Sequence, residues 1–229
     1  MRRALLFAAT LASLLSCTPR ATIPDAERAR VDRELSGAQR YLRVAAYVAP
    51  FWGDRSKLLL TDQPPAELDY IETAGGVPIA PPAPEKVLPP GTAVRVRDIE
   101  FPTGWLIARR VVMTPRYNPW VFVEGPESRP LVVVLSQTTA TYDDVRAELG
   151  QILTPDDPSS LYRALPQEQR DAVLRKDVVE GMSTRAVEMA WGLPERKRID
   201  RPAGTEEWSW FEGKRKAFFQ DERLVRWEK

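Results

Sequence analysis

This chain has one cysteine, Cys17, at the end of a short apolar run that begins just after Arg2 and Arg3. A chain of 229 residues with a single thiol cannot close a disulfide on itself. Its stability must come from packed apolar side chains, and a hydrophobic content of 43% is enough for that. The run from Ala4 to Leu15 is uncharged, is broken only by Thr10 and Ser13, and is followed by the small residue Ser16. A positive start, an apolar core and a small residue at its end are the layout of a secretory signal. Its twelve-residue core is too short to span a bilayer, which takes about twenty residues.

Leu14-Leu15-Ser16-Cys17 resembles the bacterial lipobox. The resemblance implies that the Cys17 thiol receives a diacylglyceryl group, that cleavage makes Cys17 the first residue, and that its amine takes a further acyl chain such as palmitate. The alternatives are an ordinary signal peptide and an unprocessed cysteine. One acyl chain binds a bilayer only marginally, at about 10⁴ M⁻¹, whereas two or more hold stably. Thr18, rather than Asp, follows the cysteine. Under enterobacterial-type sorting this implies the periplasmic face of the outer membrane.

Removing residues 1–16 leaves 213 residues with 31 basic and 32 acidic side chains, a formal charge of −1. A nucleic-acid binder would show a basic excess, so no nucleic-acid partner is expected. There is no histidine, which removes Ser-His-Asp and Cys-His catalysis and His-ligated zinc. Neither a cofactor nor a metal is expected.

Residues 17–24, with Pro19 and Pro24, read as a tether. The spacing of Val31, Leu35, Ala38, Leu42 and Ala45 predicts a helix over 25–48, closing at Pro50-Phe51-Trp52-Gly53, within an N-terminal helical unit at 25–56. Lys57–Thr61 reads as a strand. The six prolines between Gly75 and Pro90 predict an extended loop rather than a central strand. Val94 and Val96 alternate with Arg95 and Arg97, and the phase slips near Asp98, predicting a strand with a bulge. Trp105–Met113, Trp120–Glu124 and Leu131–Leu135 read as further strands, the last buried on both faces. Val87 to Val96, a Pro-Gly turn feeding an alternating strand, resembles the entry to bacterial SH3-like modules, implying a small barrel over 57–140.

Trp105, Tyr117 and Trp120, with Arg109, Arg110 and Arg116, form the candidate binding surface, a groove for a peptide or glycan. The competing expectation is that both tryptophans are core and the arginines are solvated strand faces. Asp143-Asp144 reads as helix-start charge and Asp156-Asp157-Pro158 as a turn, within a connector at 141–165.

Over 166–229 the order is helix, Gly181-Met182-Ser183 cap, second helix to Trp191, Gly192 stop, then strands at 206–211, 215–220 and 223–228. With Val187, Trp191-Gly192-Leu193-Pro194 and Trp208-Ser209-Trp210, it resembles the SmpA/OmlA family of outer-membrane lipoproteins. That family includes the BamE component of the β-barrel assembly machinery. Trp191 stands where that family usually has leucine, and the matching residues are caps, stops and sheet aromatics rather than a ligand site.

Together these features predict an α+β chain: an N-terminal helix, a small SH3-like β-barrel, and a C-terminal two-helix plus three-stranded antiparallel meander. The expected function is a non-catalytic adaptor or scaffold in envelope biogenesis, lipid-anchored, with an envelope protein partner. The alternatives are a peptidoglycan-binding module and a carboxylate-dependent hydrolase, which would need two acids facing each other across a cleft.

Overall fold

The computed structural model describes Pro19 and residues 21–229. Cys17 and the signal-like segment lie outside the described residues. The architecture is α+β, with six α-helices, an eight-stranded mixed sheet and a four-stranded antiparallel sheet among the described residues. No barrel closes.

The first helix, α1 (Asp25–Leu35), buries Val31 and Leu35. It ends where Gly37 takes a φ of 76° and donates its N–H to the Val96 carbonyl at 2.8 Å. A left-handed residue stops a helix and costs glycine little. The helix expected to continue to residue 48 is therefore replaced by β1 (Gln39–Leu42) and β2 (Ala46–Phe51). Leu42 and Ala45 are buried, as the helical stripe required, but inside the sheet and its junction.

β3 (Asp54–Thr61), β4 (Lys86–Leu88), β5 (Ala93–Glu100), β6 (Trp120–Glu124), β7 (Leu131–Val134) and β8 (Leu153–Thr154) complete the large sheet. Its order is β4-β2-β3-β7-β6-β5-β1-β8. Every pairing is antiparallel except β3 with β7, where Leu58 faces Leu131 and Leu59 faces Val132. This overturns the SH3-like barrel. The sheet recruits strands from 39–51 and 153–154 as well as from the middle of the chain, and its edges β4 and β8 stay apart. The β5 register slips between Val96 and Asp98, where the alternation breaks. β7 is buried throughout.

α1 and α3 (Tyr142–Ile152) cover one face through Val31, Leu35, Val145, Leu149 and Ile152. Thr141 and Asp144 start α3 with a capping box. The other face carries Phe51, Trp52, Leu59, Trp120, Val132 and Val134. The segment between β3 and β4 lies over it, contributing Leu68, Tyr70, Ile71 and, from the proline-rich loop, Ile79, whose carbonyl accepts from Trp52 Nε1 at 2.8 Å. Residues 105–113, expected as a strand, instead form α2 (Gly104–Arg109) and a loop. Thr103 caps that helix by accepting from Leu106 N at 3.2 Å.

Beyond the short α4 (Ser159–Arg163), helices α5 (Gln167–Leu174) and α6 (Thr184–Trp191) pack on the second sheet. That sheet has four strands, not three: β9 (Arg196–Asp200), β10 (Thr205–Trp210), β11 (Arg215–Gln220) and β12 (Arg223–Glu228), in the order β12-β11-β10-β9. Every residue of β9 is exposed, so it carried no apolar alternation to reveal it. Ser183 caps α6 and Gly192 ends it at a φ of 87°.

Ala45 joins the two sheets. Its N–H donates to the Met189 carbonyl of α6 at 2.7 Å, and its carbonyl accepts from Lys176 Nζ at 2.8 Å. Burial lowers the Lys176 ammonium to about 8, against the pull of the Asp62 carboxylate. In the unfolded chain a lysine titrates near 10.4, so between these values the unfolded state binds the extra proton and stability rises with pH. Lys176→Met abolishes that titration. In urea unfolding, the wild-type chain should gain roughly 1–2 kcal/mol over Lys176→Met between about pH 7 and about pH 9.5. Parallel pH profiles would show that the ammonium is not desolvated.

Candidate functional site

Residues 103–119 leave the end of β5, run through α2 and return to β6. Arg110 organises this arm. Its guanidinium is buried and donates to the carbonyls of Arg116 at 3.0 Å and Asn118 at 2.8 Å, and to Glu100 Oε2 at 3.0 Å. It also lies 3.7 Å from the centroid of the Trp120 ring. Burial lowers the Arg110 pKa, and the hydrogen bond and charge of Glu100 oppose that shift. Trp120 is itself core. It is 3% exposed, edge-on to Phe51, and its Nε1 donates to the Pro115 carbonyl at 2.9 Å. Asn118 Nδ2 donates to the Leu135 carbonyl, Thr114 is buried with its hydroxyl on the Val111 carbonyl, and Gly53 N–H holds the Met113 carbonyl.

The six candidate residues therefore divide. Arg110 and Trp120 lie beneath the surface and hold the loop. Arg116 and Tyr117 are half-buried, with Arg116 Nη2 donating to the Tyr117 hydroxyl at 3.1 Å. Trp105 is 70% exposed, and the Arg109 guanidinium sits 5.5 Å from its ring centroid. The structure does not gather Trp105, Tyr117 and Trp120 into one open groove, because Trp120 faces inward. Val111, Val112 and Met113 are exposed next to Arg109, Val112 at 67%. The apolar run at 111–113 reads as strand in the sequence, and nothing in it signals an exposed loop. Four of the ten large exposed apolar side chains among the described residues fall in this one stretch of nine, which separates it from ordinary scattered exposure.

A second concave region, of about 450 Å³, lies between the two sheets and is lined by Asp62, Tyr70, Glu148, Trp191, Glu195 and Trp210, among others. Its acids are largely committed to the fold. Glu148 accepts from Ser136 N–H at 2.7 Å and from the Thr139 hydroxyl, and Glu195 accepts from the N–H groups of Phe211 and Glu212. Burial raises the Asp62 pKa, against the Lys176 charge and the N–H groups of Asp62 and Gln63. Among the described residues no cluster of three acidic, histidine or cysteine side chains could hold a metal.

No family model, curated protein or solved structure matches the chain.

Arg110 and Trp105 should respond oppositely to truncation. Arg110→Met strands two carbonyls and removes the partner of Glu100, and should cost about 2–3 kcal/mol in urea unfolding. Amide exchange across 111–118 should quicken with it. Trp105→Ala should stay within about 0.5 kcal/mol of wild type. A large loss for Trp105→Ala would place that ring in the core.

Proposed function

We propose that this chain is an outer-membrane lipoprotein, acylated at Cys17, whose folded body serves as a non-catalytic adaptor in envelope biogenesis on the periplasmic side. The observation that carries the placement of this body against an envelope surface is the arm. It displays Trp105, Val111, Val112 and Met113 to solvent, on a frame fixed by the buried Arg110. Exposed apolar surface on a rigid mount suits contact, because little ordering entropy is lost when it is covered. The SmpA/OmlA resemblance over residues 172–229 supports the envelope setting. Its carrying residues perform structural tasks here: Ser183 accepts from Ala186 N–H, Gly192 ends α6, and Trp208 and Trp210 are core. Anchoring raises the effective concentration of the body at the membrane, so weak contacts suffice.

Peptidoglycan binding is the second reading, favoured by the exposed Trp105 with Arg109 beside its ring. Co-sedimentation with purified peptidoglycan that is lost in Trp105→Ala would select it.

The anchor and the adaptor role are tested separately. Wild-type protein should incorporate labelled palmitate and yield a mature chain beginning at position 17, and Cys17→Ser should do neither. Chemical cross-linking of intact membranes, followed by purification of the wild-type chain, should recover an envelope protein. Recovery of none would remove the adaptor role while leaving the anchor standing.

A further inference from the structure

We infer that the arm at 103–119 is a second membrane contact, seated in the headgroup region of an anionic bilayer beside the lipid anchor. The inference rests on the anchored reading for which bilayer is touched, and on the geometry below for which surface touches it.

The direction of α1 fixes the geometry. At its far end Gly37 hydrogen-bonds Val96, in the middle of β5. In its first turns, Arg28 places its guanidinium 5.4 Å from the ring centroid of Phe101, just past the end of β5. The helix therefore runs antiparallel to β5, and its start lies at the end of that strand from which the arm departs. Phe101 precedes Trp105 by four residues, a reach of at most about 14 Å. Going the other way, Ile23 is buried in the core and Cys17 lies six residues before it. Six residues span no more than about 20 Å. An acyl group on Cys17 would thus tether the body beside the start of α1, at the end from which the arm departs.

The arm's chemistry fits that position. Residues 101–118 contain Arg109, Arg110 and Arg116 and no Asp or Glu. Arg110 is neutralised by Glu100, which leaves Arg109 and Arg116 to meet anionic headgroups. Tryptophan prefers the membrane interface, and Val111, Val112 and Met113 supply apolar surface for the acyl boundary. A protein groove would need complementary acids around these arginines. A bilayer supplies phosphates at every point of contact.

The test places an environment-sensitive NBD label on Val112→Cys. The Cys17 thiol is blocked in the acylated protein, so the label is unique. Vesicles of phosphatidylethanolamine and phosphatidylglycerol receive either the acylated protein or the mature chain from residue 17 carrying Cys17→Ser, the latter at high lipid. Label emission should rise several-fold, shift to the blue and be quenched by lipids with brominated chains. The same label on Glu222→Cys, in a turn of the second sheet, should remain aqueous. Trp105→Ser together with Met113→Ser should reduce the response at position 112. If the acylated protein stays on vesicles while the 112 label remains aqueous, the membrane contact is overturned and the anchor stands. If no acyl group is present, the anchor fails, and the Cys17→Ser chain alone decides the arm: a 112 response supports the contact and an aqueous label overturns it. A label shielded without lipid as protein concentration rises also overturns it, assigning the arm to a second copy.

Discussion

The two sheets hold together at Ala45. This residue lies between β1 and β2, is fully buried, and packs with the second core rather than the first. In a dry junction both of its backbone groups need partners, and both come from the C-terminal part of the chain: the Met189 carbonyl and the Lys176 ammonium. Lys176 is the costly half of this arrangement. A buried ammonium is tolerated only with hydrogen bonds and a nearby counter-charge. Here it has the Ala45 carbonyl, the Asp62 carboxylate and the Tyr47 ring 5.3 Å away. Asp62 is hemmed in as well, since a Cβ on Gly192 would come within 2.9 Å of its Oδ2. The glycine that ends α6 thus also makes room for the acid that balances the lysine.

Arg110 solves a similar problem with a different outcome. At the sheet junction, buried charge closes a gap between layers. In the arm it supports an excursion away from them. The five guanidinium N–H groups of an arginine form a planar fork. Four of the bonds that fork makes reach Arg116, Asn118 and Glu100, fixing a loop with no regular ladder of its own. Its Nε finds no partner among the described residues. The Trp120 ring below supplies a flat apolar floor with an electron-rich face. Above it Trp105 and Val112 stay largely exposed, while Val111 and Met113 are partly covered.

The sequence disclosed most where one local rule was enough. The β6 and β7 runs are short, apolar and bounded by turns. Ser183 and Gly192 act within a few residues of themselves, and the Asp143-Asp144 pair sits at a helix start. It disclosed least where the partner was distant. Residues 38–48 have a helical spacing that continues into two strands, because a single Gly37 in the left-handed region redirects the chain. The parallel β3–β7 contact joins residues more than seventy apart, and no turn signal marks such a pairing. Consecutive hairpin-like strands suggest a barrel, and this parallel pairing instead builds an open sheet. β9 has no apolar face to read, since every residue but Ile199 is charged; Lys197 pairs with Glu188 and Arg198 with Glu207 across the surface. Within the candidate site, aromatic and arginine content marked a stretch that the fold divides between core and surface. Content alone could not say that Trp120 and Arg110 turn inward while Trp105 and Arg109 turn out, since that division is made by Phe51 and Glu100 from other strands.

Attachment at one flexible point leaves a body free to rotate through all orientations above a surface. A second contact nearby removes most of that freedom, and it need not be strong where an anchor already supplies a high local concentration. The weak second contact then works as an orienting device more than an affinity device. With the start of α1 and the arm on one side, the far side of the body is set apart from the lipid, and the edge strand β9 lies on the second sheet. That edge carries unpaired backbone groups beside a row of basic side chains, Arg196, Lys197 and Arg198. Charged edges resist unspecific pairing, while a partner strand of opposite charge can still add to them. A body fixed in orientation would offer such an edge in one direction only, so a weak orienting contact can add specificity without adding much affinity.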